Sequence, residues 1–140
     1  MSSIVGAIFP ISIEHANRIF DGGRTIFVKF TTFSKLEKGC KIIFYISREK
    51  KILGEAVIKK IEKLNPRIAW SNYGNLMFLE ESEFEEYAAK SSIKGETRKM
   101  SQITVFFLKD VTKYQKLYLF TGITPTGRYL TYNEYEKMVK

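Results

Sequence analysis

Two cations follow a pair of glycines in Gly22-Gly23-Arg24-Thr25-Ile26-Phe27-Val28-Lys29. A glycine turn lets a phosphate approach the backbone, and nearby cations neutralise it. Arg24 and Lys29 are therefore candidate phosphate contacts; solvated cations flanking an ordinary strand are the competing reading. Tyr45 and Ser47 close an apolar run, where a tyrosine offers a stacking face and a serine hydroxyl can read a base edge. Core packing with a hydrogen bond at the ring tip is an equal reading of Tyr45. Trp70 and Tyr73 lie close to Arg67, and aromatics among cations suit single-stranded nucleic acid, where stacking gives roughly 1–3 kcal/mol per base. Trp70, the only tryptophan, reads better as the anchor of a short helix, and Tyr73 is open to either role. Lys94, Arg98 and Lys99 can grip backbone phosphates, pair with nearby glutamates or stay solvated.

Other chemistry finds little support. His15 is the only histidine and Cys40 the only cysteine. Paired-cysteine zinc sites and intramolecular disulfides are excluded, and neither a metal nor a cofactor is expected. His15, beside Glu14, reads as a surface residue rather than a general base. Glu80, Glu81, Glu83, Glu85 and Glu86 form an acidic cluster, but at helical spacing they spread around the axis. Only Glu81 with Glu85, or Glu83 with Glu86, share a face, so a solvated surface is the favoured reading.

The charge distribution sharpens this picture. The 140 residues carry a formal net charge of +8. Residues 1–79 hold 13 basic and 6 acidic side chains, residues 80–90 hold five glutamates against one lysine, and residues 91–140 hold 9 basic and 4 acidic. A basic body with one acidic helix suits a polyanionic partner. No run of about 18 apolar residues suggests a membrane span. MSSIVGAIFP lacks the basic start and apolar core of a signal peptide. A soluble, cytoplasmic protein is expected, folded as a single domain over residues 1–140.

The elements that must position these residues follow from periodicity. Ser3 to Phe9 reads as a strand stopped by Pro10. Ile11 to Phe20 reads as a helix with Ser12 as N-cap and Asp21-Gly22-Gly23 as its stop. Thr25 to Phe30 alternates like a half-buried strand. Lys41 to Ser47, apolar on both faces, and Ile52 to Lys63 form a hairpin across a charged turn. Asn65-Pro66 opens a short helix or turn through Tyr73. Leu79 to Lys90 reads as a helix and Ser91 to Lys99 as a polar loop. Gln102 to Leu108 and Leu117 to Thr121 read as separate strands, and Tyr129 to Thr131 as a last one. Asn133 caps a closing helix to Val139. The order predicts an α+β fold with a mostly antiparallel sheet, and glycine bends at Gly39 and Gly54 are consistent with a small barrel.

Three stretches together resemble the PUA-like superfamily, in its ASCH and EVE branches. Gly22 to Lys29 is similar to the ASCH pattern G-x-K-x-x-E-x-R, with Arg24 at the lysine, Lys29 at the arginine and Phe27 in place of the glutamate. Lys38-Gly39-Cys40-Lys41-Ile42-Ile43-Phe44-Tyr45-Ile46-Ser47 resembles a strand of that branch in which Cys40 replaces an aspartate. Ile52-Leu53-Gly54-Glu55-Ala56 resembles the strand that follows. With Asn65-Pro66, Trp70, Tyr73 and the Thr124-to-Arg128 segment, the chain is similar to an uncharacterised archaeal family of this superfamily. Its Ile, Lys and Glu content fits a thermophile.

The resemblance implies a small, mostly antiparallel β pseudo-barrel decorated with helices. It implies a ligand cleft edged by the strand of Arg24 and Lys29, with Tyr45 and Ser47 lining a base pocket and Arg128 in a loop that closes it. The leading expectation is a nucleic-acid-binding module that holds RNA or a modified base in a cleft beside the barrel. The candidate contacts are Arg24, Lys29, Tyr45, Ser47, Arg67, Tyr73, Arg98, Lys99 and Arg128. Some ASCH proteins are amidohydrolases of acylated cytidine that use a lysine, a threonine and a glutamate. Here Arg24 stands at the lysine, and Phe27 supplies neither a hydroxyl nor a carboxylate. Arginine stays protonated and phenylalanine has no nucleophile, so enzymatic activity is disfavoured. A third expectation is a protein-interaction module using the acidic helix.

Overall fold

The computed structural model describes residues 3–31, 33–93, 102–119, 123 and 127–139. Its elements are β1 (Ile4–Ile11), α1 (Ile13–Phe20), β2 (Ile26–Lys29), β3 (Lys41–Ile46), β4 (Lys51–Leu64), α2 (Pro66–Tyr73), a 3-10 turn (Gly74–Leu76), α3 (Glu81–Ile93), β5 (Ile103–Leu119), β6 (Arg128–Thr131) and α4 (Tyr132–Val139). The strands form one sheet in the order β2-β5-β4-β3-β1-β6. Every pairing is antiparallel except β1 with β3.

The sheet curls without closing. In a flat sheet β2 and β1, four strand spacings apart, would be separated by about 19 Å. The Phe27 and Phe9 rings instead lie 5.7 Å apart, and Phe27 also meets Phe44 at 5.5 Å and Phe106 at 6.0 Å. All four phenylalanines are fully buried. No ladder joins β2 to β1 or β6 among the described residues. The outer edge of β2 is met instead by Met77 and Phe78, through a bridge from Ile26 and a hydrogen bond from the Phe78 N–H to the Ile26 carbonyl (2.9 Å). The fold is thus α+β with an open, curled six-stranded sheet, not a closed barrel.

Alternation along β3 divides the core in two. Ile42, Phe44 and Ile46 join the large cluster inside the curl, while Ile43 and Tyr45 join Ile8, Ile52, Leu130 and Met138 on the other face. Both faces of β3 are therefore covered, which is why its sequence is apolar from Ile42 to Ile46. A buried carboxylate fastens the outer layer. Glu55 accepts hydrogen bonds from the Tyr114 and Tyr135 hydroxyls (2.7 Å each) and from Lys41 Nζ (3.0 Å). Burial pushes the Glu55 pKa up, but these three donors outweigh it and leave it lowered.

Local signals set the helix starts. The Ser12 hydroxyl accepts from the His15 N–H (3.1 Å) and the Asn65 side chain from the Arg67 N–H (2.9 Å), with Pro66 in the first helical turn. The cap of α4 is Thr131, not Asn133. Glu134 N–H reaches the Thr131 hydroxyl and Glu134 Oε1 accepts from the Thr131 N–H (3.0 Å), the reciprocal pair of a capping box.

Three further boundaries differ from the sequence reading. β1 runs through Pro10 to Ile11. The pairing of β1 with β6 reaches only Ile8, so a residue without an N–H is tolerated beyond it. α3 continues into the expected loop as far as Ile93, since no helix breaker precedes Gly95. The two strands expected after residue 101 are one strand, β5. Its polar middle stays paired with β4 because register shifts at Ile52/Gly54, Glu55/Val57 and Ile58/Lys60 bend the ribbon. Asp110 takes up a left-handed conformation there (φ 49°).

Candidate functional site

Because the sheet does not close, a cleft of about 440 Å³ opens between the end of β1, β2, the start of α1 and one face of α3. That volume suits a small organic ligand. Ile11, Phe27, Val28, Phe78 and Leu79 give it apolar walls, and Ser12, His15, Lys29, Glu83, Glu86 and Tyr87 supply polar groups.

Lys29, the last residue of β2, is half-buried, with Nζ 5.6 Å from the centre of the Phe9 ring. Burial lowers its pKa, as expected for an ammonium partly removed from water. On the opposite wall, Tyr87 packs its ring on Phe30 at 5.1 Å, and its hydroxyl accepts from the Phe30 N–H (2.8 Å). This contact ties α3 to the end of β2, and burial raises the Tyr87 pKa.

Glu83 is the hub of the cleft. Its carboxylate accepts from the Arg18 guanidinium, from the Glu80 N–H (2.8 Å) and from His15 Nε2 (3.0 Å). The Arg18 hydrogen bond, assisted by those from Glu80 and His15, outweighs burial and brings the Glu83 pKa down to about 2. Arg18 also donates to the Phe78 carbonyl (3.1 Å), and the His15 ring stands edge-on to Phe78. One carboxylate thus joins α1, the Phe78 segment and the first turn of α3. Among the described residues no group of three His, Cys, Asp or Glu side chains could hold a metal ion.

The chain matches a family of domains over residues 4–132, nearly its whole length. It belongs to the family described as Domain of unknown function (DUF365). A search of curated proteins gave no match. Among solved structures, the fold resembles the crystal structure of ASCH from Zymomonas mobilis with a TM-score of 0.79 at 20% identity, covering 96% of this chain and 94% of that one. A serine-to-alanine mutant of ZmASCH from the same organism gives 0.78 at 21% identity, covering 99% and 97%. The chain therefore shares the fold of that ASCH protein.

Within this fold the described residues among those proposed from sequence do not converge: of them, Lys29 alone lines the cleft. Arg24 turns toward α3, donating to the Met77 carbonyl (2.8 Å) and Glu80 (3.3 Å). Tyr45 is buried in the smaller core cluster on the other face of the sheet, and Ser47 is exposed just past β3. Arg67 is exposed at the start of α2. Tyr73 donates to Glu62 (2.7 Å) and stands edge-on to Phe107. Arg128 bonds Glu134 (2.7 Å). Trp70 packs on the Phe84 ring at 5.4 Å and joins α2 to α3. Lys94, Arg98 and Lys99 lie outside the described residues.

Conversely, His15, Glu83, Glu86 and Tyr87 also line the cleft, whereas the sequence reads His15 and the glutamates as surface residues and singles out no role for Tyr87. A signal existed for the glutamates: Glu83 is the third residue of its helix, where a carboxylate can reach back to the cap position at Glu80, and Glu86 shares its face. Nothing local pairs His15 with a residue 68 positions away.

Proposed function

We propose that this protein is a nucleic-acid-binding module that takes an unpaired base of RNA, plain or modified, into the cleft between β1, β2 and α3. The observation that carries the reading is Lys29: a half-buried cation lining an apolar-walled cleft large enough for a nucleoside. The apolar walls suit the faces of a base, and the ammonium suits the phosphate attached to it. The +8 charge and the ASCH-type fold support the same class of partner. Among the described residues no helix is long and apolar enough to cross a membrane.

The test is a fluorescence titration with single-stranded RNA at about 50 mM salt, where phosphate contacts are strong. Lys29→Met keeps the alkyl stem and removes the charge. The expected result is a loss of roughly five- to tenfold in affinity, the counterion release of one phosphate contact. Absence of RNA binding by the unaltered protein at that salt would sink the reading.

One observation favours a second reading. His15, bonded to Glu83, shares the cleft with Lys29, a set of groups able to move protons. Turnover of an N4-acylated cytidine, lost in His15→Gln with the fold intact, would make the cleft an active site. The amidohydrolase positions expected from the resemblance do not supply it: Phe27 is buried and Arg24 is bound to Glu80 and the Met77 carbonyl.

A further inference from the structure

Four lysines gather at one place outside the cleft. A groove of about 790 Å³ between the loop after β2 and the middle of β4 and β5 is lined by Lys38, Lys59, Lys60 and Lys109. Leu36, which is buried, and Ile61, half-buried, give it an apolar floor, and Glu37 is its one acidic member.

The backbone explains the cluster. Ile58 faces Leu108 across the β4–β5 ladder, while Lys60 faces Phe107, so Lys59 is an extra residue. A bulge of this kind breaks the strict alternation of a strand, and the two successive lysines are both exposed and both line the groove. Lys38 is brought alongside by the next turn. The Gly39 N–H donates to the Ile58 carbonyl and the Ile58 N–H to the Cys40 carbonyl (2.8 Å each), a close approach in which Gly39 takes φ +95°. Lys109 comes from β5, opposite Val57.

The charges are poorly compensated. Lys60 pairs with Glu62 at 2.8 Å and lies over the Phe107 ring. Among the described residues, no carboxylate pairs with Lys38, Lys59 or Lys109. Like charges focused in a concave groove raise the local potential and draw a polyanion to it.

We infer that this groove seats the phosphodiester backbone of the single-stranded nucleic acid whose base enters the cleft. The inference rests on the proposed function and adds a second, sequence-independent contact surface. A linear polyanion fits this site better than a bilayer does, because its apolar members, Leu36 buried and Ile61 half-buried, offer no exposed side chain for insertion. Lysines act here as point charges on phosphates and carry no base preference.

The test combines Lys38→Gln, Lys59→Gln and Lys109→Gln in one chain, all at exposed positions, with a thermal melt to check the fold. Labelled single-stranded RNA of about 20 nucleotides is titrated at several salt concentrations. Loss of three phosphate contacts is expected to weaken binding roughly 100-fold near 0.1 M salt and to reduce the slope of log K against log salt by about 2, with base preference unchanged. An affinity and slope equal to those of the unaltered protein overturn the inference. If Lys29→Met weakens binding while the triple variant does not, the groove fails and the cleft stands. If the unaltered protein binds no RNA, both fail. Loss of binding to phosphatidylserine vesicles with RNA binding unchanged assigns the groove to a membrane and also overturns the inference.

Discussion

Glu83 illustrates how one side chain can hold a site together. Its pKa of about 2 lies below the ordinary carboxylate value of 4.5. A carboxylate whose folded pKa is depressed stabilises the fold above its unfolded pKa, and that contribution is lost as pH falls through the folded value. Glu83→Gln should therefore lower the urea midpoint at pH 7, and the gap to the unaltered protein should close as pH falls from about 4.5 toward 2. An equal gap at neutral and acid pH would show that Glu83 contributes shape and not charge. Lys29 titrates in the opposite regime. Its pKa is lowered by burial, so RNA affinity that depends on its charge should begin to fall at a pH below the ordinary lysine range; Lys29→Met should abolish that step.

At this scale the sequence was a partial guide. Ser12, Asn65 and Pro66 announce their helices because a cap acts within three residues. That Lys29 belongs to a strand after a glycine turn was legible locally. The pairing of His15 and Arg18 with Glu83 spans 65 residues or more, and only the assembled fold supplies it. Tyr45 was ambiguous for a physical reason: on a strand covered on both faces, alternation does not say which core a side chain enters.

Among the elements, β4 and β5 do most to shape the molecule. Gly54 lies where they bend, and a Cβ there would stand 2.4 Å from the Thr112 carbonyl oxygen and 2.6 Å from the Phe20 ring. Gly54→Ala should destabilise the fold by about 1–3 kcal/mol, the usual cost of overpacking, read as a lower denaturation midpoint. Thr131→Ala removes the cap hydroxyl of α4 and should cost about 1 kcal/mol; an unchanged melting temperature would contradict the capping box. The hairpin of β3 and β4 could be read from its turn and flanking apolar runs. The continuity of β5 could not, because its polar stretch looks like a loop until β4 is placed beside it. Its alternation survives there: Val111 packs on the larger core and Tyr114 on the smaller.

For the whole molecule, the net charge of +8 is what first raises the reading of a polyanionic partner. The fold divides that charge among separate places. One cation stands half-buried in a cleft, four lysines line a groove on the ribbon of β4 and β5, and the acidic helix spends Glu83 on internal anchoring. The acidic cluster is therefore not simply a solvated face. The opening of the sheet follows from the same economy of strands: β2 is only four residues long, and its outer edge is met by Met77, Phe78 and α3 in place of a seventh strand.

The most direct measurement is the affinity of the unaltered protein and of Lys29→Met for single-stranded RNA across a salt series from about 50 to 200 mM. Binding that weakens steeply with salt, and that falls roughly five- to tenfold in the variant near 0.1 M, is the expected result. RNA binding by both proteins with equal affinity and equal salt slope would contradict the assignment of the cleft.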